Sequence, residues 1–325
     1  MSPSSLQTLT VEFDDNKLLP QLFGSHNAHL ARIEQKLDVS LSSRGNAVTI
    51  SGDEGLTAAT EDVLNGLYAR LKDGHDVDVA EVDAALRMVS AGERGKAVMM
   101  NPEAHAVQTR KRQILPRSPQ QAIYLDAVDQ NDLVFGLGPA GTGKTYLAVA
   151  KAVECLVKGE IDRIILSRPA VEAGEQLGFL PGDMREKVDP YLRPLYDALH
   201  DMLPANQVAK KMENGEIEIA PLAFMRGRTL ADAFVILDEA QNTTPVQMKM
   251  FLTRLGQNAR MVVTGDLSQI DLPTGISSGL RDAVTRLTGV KGISFVEFSE
   301  KDVVRHSLVA CIIRAYNETN GDTHS

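Results

Sequence analysis

Eight consecutive residues, Gly138-Pro139-Ala140-Gly141-Thr142-Gly143-Lys144-Thr145, constrain this chain more than any other stretch. They spell G-x-x-x-x-G-K-T, a phosphate-cradling loop, and their flanks have the character that such a loop needs. Asp132-Leu133-Val134-Phe135-Gly136-Leu137 reads as a buried strand, and Tyr146 to Lys158, rich in Ala, Val and Leu, reads as a helix. Glycine permits positive φ and close backbone approach. The turn's N–H groups and the helix N-terminus then present partial positive charge to the β- and γ-phosphates of a nucleotide. Lys144 adds a full charge there, and the Thr145 hydroxyl is positioned to ligate magnesium.

A second motif lies downstream. Ala233-Phe234-Val235-Ile236-Leu237 runs into Asp238-Glu239-Ala240-Gln241, an apolar strand delivering two carboxylates at its end. In that context Asp238 is the candidate magnesium ligand, acting through water, and Glu239 the residue that orients and polarises an attacking water. Acidic residues after a strand also cap helices, but pairing with the upstream loop favours chemistry. Between the motifs, Arg163-Ile164-Ile165-Leu166-Ser167 forms a further strand, ending at Arg168-Pro169. The Gly-bearing loop Glu172 to Asp183 that follows lies where α/β proteins place ligands. Lys187 to Leu203 and Pro245 to Leu255 read as helices. Arg260 to Thr264 reads as a strand ending in Gly265-Asp266-Leu267-Ser268-Gln269, where Thr264 and Gln269 are placed to sense a γ-phosphate. A helix from Gly275 to Leu287, a strand from Ile293 to Phe298 and a helix from Asp302 to Tyr316 complete the pattern.

The first ninety residues have a different grain. A short strand at Val11 to Phe13 precedes an apolar cluster, Leu18 to Phe23, the turn Gly24-Ser25-His26-Asn27 and a helix from Ala28 to Leu37. Two alternating stretches about Ser43-Arg44-Gly45-Asn46 form a hairpin, and Leu56 to Leu71 reads as a helix. This order resembles a KH module, whose G-x-x-G loop clamps a single-stranded RNA backbone. Here Asn27 stands where the second glycine belongs, though Asn accepts left-handed geometry better than most residues. His26, His29 and Arg32 are candidates to face a backbone; the other reading is a small α+β adaptor that contacts protein. Beyond the helix Asp78 to Ala91, the pattern fails from Gly92 to Ser118, which reads as a linker carrying the basic run Arg110-Lys111-Arg112. The expected layout is therefore a small α+β KH-like domain (1–91), a linker (92–118), a P-loop domain (119–319) and a disordered tail (320–325). The fold class is α/β, a RecA-like P-loop NTPase parallel sheet with helices on both faces.

Composition narrows the class without naming a partner. A net charge of -9 argues against a generally basic nucleic-acid binder but leaves room for a local basic groove. Trp is absent and aromatic residues are 5%, so extended base-stacking platforms are not expected. No apolar run reaches the ~18 residues of a membrane span. The N-terminal residues lack signal-peptide character, and the two cysteines, Cys155 and Cys311, read as buried thiols. A cytoplasmic location is expected.

Five motifs then agree in order and spacing: Gly138–Thr145, Ser167-Arg168-Pro169 with its loop, Asp238-Glu239-Ala240-Gln241, Gly265-Asp266-Leu267-Ser268-Gln269 and Val303-Val304-Arg305-His306. Together they resemble the PhoH-like ATPase family, and the KH-like module in front resembles its YbeZ-type branch. The resemblance implies an ATPase that uses ATP and Mg2+, has a nucleotide site related to superfamily-one helicases, and acts in RNA metabolism. It also implies single-stranded RNA and a YbeY-type endoribonuclease as partners. Those helicases read adenine with a Gln ahead of the loop, so Gln121 is a candidate for base recognition, unless it is an ordinary helix-surface glutamine. One such module lacks the second half of a helicase. That leaves a homo-oligomeric ring, with an arginine supplied in trans, or a nucleotide-gated adaptor without unwinding. Arg305 is the family's candidate for that arginine, with Arg168, Arg226 and Arg228 as alternatives.

Overall fold

The computed structural model describes residues 6–169 and 184–304. The Gly-bearing loop after Pro169, Arg305-His306, most of the expected closing helix, Cys311 and the tail lie outside the described residues. The chain divides into two compact units, one running through His105 together with Leu115–Ala122, the other made of Ala106–Ile114 and the chain from Ile123 onward.

The first unit comprises β1 (Leu6–Glu12), α1 (Leu19–Phe23), α2 (Ala28–Leu37), β2 (Ser40–Arg44), β3 (Ala47–Asp53), α3 (Glu54–Lys72), α4 (Val79–Ser90) and α5 (Glu93–Met100). Its three strands form an antiparallel sheet in the order β1-β3-β2. Val48 and Ile50 alternate inward from β3 and join Val11, Ile33, Leu64 and Leu67 in the core. The element order is that expected of a KH-like module.

Its turn is built differently from a bare phosphate clamp. Gly24 has φ 71°, and a Cβ there would lie 2.7 Å from the His29 ring. His29 is buried, and its Nδ1–H donates to the Leu22 carbonyl at 3.1 Å. Arg32 forks onto Asp83, with Nε to Oδ1 at 2.9 Å and Nη2 to Oδ2 at 3.0 Å. Two of the three side chains expected to face a ligand are thus used inside the unit, and only His26 is exposed. Asn27 does adopt the left-handed region, at φ 60°.

The stretch that reads as a linker is more ordered than its pattern. It holds α5, then the hairpin β4 (Val107–Gln108) and β5 (Gln113–Ile114). Two-residue strands are too short to show a period. Gly95, which reads as punctuation, marks close helix packing instead, for a Cβ there would meet the Met88 carbonyl oxygen at 1.8 Å.

The boundary falls within α6 (Pro119–Gln130), and from Ile123 the second unit continues with the rest of that helix, β6 (Leu133–Leu137), α7 (Lys144–Lys158), β7 (Arg163–Arg168), α8 (Met184–Met202) and α9 (Ala205–Glu213). It ends with β8 (Ile217–Pro221), β9 (Ala233–Leu237), α10 (Pro245–Leu252), β10 (Arg260–Gly265), α11 (Gly279–Leu287) and β11 (Ile293–Glu297). The six strands from β6 to β11 form a parallel sheet in the order β11-β6-β10-β9-β7-β8. Every residue of β6 and β9 is buried, because a parallel sheet is covered on both faces. Phe234 and Ile236 point into the core shared with α7 and α8, while Val235 and Leu237 point into the one shared with α10 and α11. Cys155 is buried in the first of these cores, and burial pushes its thiol up to about 11, out of reach of thiolate chemistry. Among the described residues, no helix is long and apolar enough to cross a membrane.

Candidate nucleotide-binding site

Four neighbouring strands, β6, β10, β9 and β7, bring the sequence motifs to one edge, because parallel strands all end on the same side. The loop after β6 is held from two directions. Gly138 N–H donates to the Gly265 carbonyl at the tip of β10 at 3.1 Å, and Val304 N–H donates to the Gly141 carbonyl at 2.8 Å. Gly138 has φ 133°, and a Cβ there would meet the Phe298 carbonyl oxygen at 2.3 Å, so the position admits glycine alone. Gly141 and Gly143 both sit at φ 84°, turning the chain into α7, which begins at Lys144.

Lys144 is folded back onto its own loop. Its ammonium donates to the carbonyls of Gly138 at 2.7 Å and Pro139 at 2.8 Å, and to Thr142 Oγ1 at 3.2 Å. Those carbonyls hold the charge within the turn of the loop.

The carboxylate of Asp238 stands at the centre of the edge and is 6% exposed. Its Oδ1 accepts from Thr145 Oγ1 at 2.6 Å and from Thr264 Oγ1 at 2.8 Å. Two hydroxyls and a carboxylate, all oxygen donors, are the set that a hard dication prefers. Thr145 and Asp238 therefore fit magnesium arriving with a nucleotide. The field of Asp238 extends further: the buried Tyr124 hydroxyl has no hydrogen-bond partner among the described residues, and burial, helped by the Asp238 charge, pushes its pKa up.

Glu239 occupies the left-handed region, at φ 51° and ψ 39°. Its carboxylate is gripped from two sides. The Arg168 guanidinium lies 3.1 Å from Oε1, and Gln241 Nε2 donates to Oε2 at 2.5 Å. Gln241 Oε1 in turn accepts from the Asp266 N–H at 3.1 Å, and Asp266 Oδ2 accepts from Gln269 Nε2 at 2.7 Å. A line of polar bonds therefore runs from Arg168 through Glu239, Gln241 and Asp266 to Gln269. Gly265 makes room for it, since a Cβ there would lie 2.8 Å from Gln241 Oε1.

A cavity of about 660 Å³ opens over this line. Ala140, Gly141, Gly143, Lys144, Thr145, Asp238, Glu239 and Gln269 line it, and so do Tyr146 and four residues of α8, Pro194, Asp197, Ala198 and Asp201. The loop, the Asp-Glu pair and Gln269 thus come together. Gln121 is buried at the start of α6, with its Oε1 accepting from the Arg117 N–H at 2.7 Å. Arg305 lies outside the described residues. Arg228 forks onto Glu218, both bonds at 2.7 Å, and Arg168 serves Glu239 of its own chain. Gln241 and Asp266 were not singled out for the site from sequence. Their signal is slight, a polar residue two positions beyond each strand-tip acid or hydroxyl.

A parallel sheet with a phosphate loop after one strand, and an Asp-Glu pair after another two places away, defines a P-loop nucleotide-binding protein of RecA-like fold. The family model for PhoH-like proteins matches residues 113–317, and the chain belongs to that family. It is 53% identical over 299 residues to the PhoH-like protein of Bacillus subtilis (strain 168), covering 92% of this chain and 94% of that one. Against the PhoH-like protein of Mycobacterium tuberculosis (strain H37Rv) identity is 51% over 300 residues, covering 92% and 85%. Against that of Synechocystis sp. (strain PCC 6803) it is 42% over 315 residues, covering 97% and 96%.

The Asp238 geometry predicts that Thr264→Val, which keeps shape and burial but removes one hydroxyl from a buried carboxylate, destabilises the unit by about 2 kcal/mol. Thermal unfolding should then fall by ~4–8 °C. An unchanged midpoint would mean that the carboxylate does not depend on this donor.

Proposed function

We propose that the chain hydrolyses ATP to ADP and phosphate, and that RNA binding is coupled to this cycle. The observation that carries the hydrolytic reading is the meeting of Thr145 and Asp238 at 2.6 Å, with Glu239 held beside them at the cavity. In this reading Lys144 exchanges its loop carbonyls for β- and γ-phosphate oxygens, and the loop's N–H groups complete the cradle. Thr145, directly, and Asp238, through water, would hold magnesium, which when bound neutralises charge on the β- and γ-phosphate oxygens. Glu239 orients a water in line with the γ-phosphorus and takes its proton as the new P–O bond forms and ADP departs. Arg168 and Gln241 fix the carboxylate, and its remaining lone pairs serve the water. Gln269, tied to Asp266, is placed to register the γ-phosphate. Gln121 as an adenine contact would have to yield its bond from Arg117, and Arg305 would act from a neighbouring chain in a ring; both rest on the family resemblance, as does a YbeY-type endoribonuclease partner. Mass measured with and without nucleotide tests the ring.

Two substitutions separate binding from chemistry. Lys144→Ala removes the charge from the cradle and should weaken ATP binding at least tenfold, with turnover lost, as read by nucleotide titration and phosphate release. Glu239→Gln keeps size and one of the two acceptor oxygens while removing the base, so ATP affinity should persist and turnover should drop by about 10²–10⁴-fold. Near-normal turnover in the glutamine variant would refute the role given to Glu239.

RNA coupling rests on the element order of the first unit. The commitment of His29 and Arg32 to internal bonds favours a second reading, an adaptor gated by nucleotide that docks a ribonuclease or ribosome without unwinding. Phosphate release measured with and without single-stranded RNA, beside strand separation of a duplex, distinguishes them. A change of turnover with RNA, in either direction, supports the first reading; RNA-independent turnover without strand separation supports the second.

A further inference from the structure

One chain of polar bonds leaves the cavity and ends on an exposed basic turn. Tyr146, the residue after Thr145, donates from its hydroxyl to Asp201 Oδ2 at 2.8 Å. The other oxygen, Oδ1, accepts from Arg112 Nη2 at 2.6 Å. Tyr146 and Asp201 both line the cavity, whereas Arg112 lies in the turn between β4 and β5. That turn is well fixed. Thr109 Oγ1 donates to the Arg112 carbonyl at 2.7 Å, Lys111 N–H donates to the Met202 carbonyl at 3.2 Å, and Lys111 Nζ donates to the His200 carbonyl at 2.7 Å. Arg110, Lys111 and Arg112 are nonetheless all exposed, three successive cations in a chain of net charge -9.

We propose that this turn binds the phosphate backbone of single-stranded RNA, and that binding there opposes nucleotide occupancy of the cavity through the Arg112–Asp201 pair. The inference rests on the RNA-coupled reading above and supplies its contact surface and its sign. Arg112 neutralises a carboxylate in the wall of a cavity that must accept a triphosphate. Phosphodiesters compete for a guanidinium with charge-assisted forked bonds, and the Arg112 side chain is 51% exposed to them. Once Arg112 turns outward, Asp201 faces the nucleotide uncompensated, and like charge weakens its binding. Linkage makes the effect reciprocal: nucleotide weakens RNA by the same factor. A phosphate backbone suits the turn better than a protein, because Val107 and Ile114 are buried and the turn offers no exposed apolar anchor, which protein hot spots need.

The test uses the full chain, a fluorescent non-hydrolysable ATP analogue and a single-stranded oligouridylate at low salt. The oligonucleotide should raise the analogue's Kd by about fivefold or more, and the analogue should raise the oligonucleotide's Kd equally. Asp201→Asn should bind the analogue at least as tightly as the natural chain, and Arg112→Gln several-fold more weakly. In both, the coupling factor should fall to about one, and either variant alone decides the point. Arg110→Ser should weaken the oligonucleotide and lower its log–log salt slope by about 0.7. Full coupling in Asp201→Asn or Arg112→Gln overturns the relay, and unchanged RNA affinity in Arg110→Ser combined with Lys111→Ser overturns the surface. An acidic peptide of equal charge that competes as well as the oligonucleotide overturns the assignment to RNA. Absence of RNA binding by the natural chain sinks the RNA-coupled reading itself, whereas binding that these variants leave untouched sinks this inference alone.

Discussion

A single carboxylate oxygen, Oδ1 of Asp238, joins three strands at the functional edge. It accepts from Thr145 at the foot of α7 and from Thr264 at the end of β10. Since β10 lies between β6 and β9, these bonds cross from the loop strand to the acid strand by way of the strand between them. Burying an ionised carboxylate is costly unless hydrogen bonds replace the lost water, so the two hydroxyls are part of what lets the charge exist there. The neighbouring glycines follow from the same crowding. Gly138 passes against Phe298 and Gly265 against Gln241, each closer than a side chain allows.

Glu239 depends on this arrangement. A non-glycine residue in the left-handed region costs of order 1–3 kcal/mol and persists only where its surroundings determine it. Here the Arg168 ion pair and the Gln241 hydrogen bond hold the side chain, while the Asn242 N–H donates to the Glu239 carbonyl at 3.1 Å. The strained turn sends the carboxylate over the cavity instead of continuing the strand. Hydrogen bonds through Gln241 and Asp266 connect it continuously to Gln269.

What the sequence made legible is what local chemistry specifies. The strand-loop-helix around Lys144, the wholly buried run Ala233–Leu237 and the acids after it require no knowledge of distant residues. The order of the first unit's elements was legible for the same reason, through alternation and helical spacing. The uses of long polar side chains were not. Arg112 meets Asp201 across 89 positions and Arg32 meets Asp83 across 51, and no periodicity encodes such pairs. The span from Gly92 to Ser118 misled for a related reason: Gly95 serves helix contact, and the strands flanking the basic turn are two residues long.

These long-range pairs share a design that bears on how a ligand enters. Lys144 is bonded to loop carbonyls, Arg168 to Glu239 and Arg112 to Asp201. In a chain with excess negative charge, a trianionic or tetra-anionic ligand therefore meets cations that already have acceptors. If Lys144 trades its loop carbonyls for phosphate oxygens as proposed, binding is an exchange of acceptors, and its net free energy is the difference between two sets of charge-assisted bonds. Exchange of this kind favours ligands whose oxygens match the displaced geometry, because a poor match leaves a buried carbonyl or carboxylate without its donor. On the reading proposed above, Arg168 keeps Glu239, whereas Asp201 lines the cavity, so its release from Arg112 would change the field that a nucleotide there experiences.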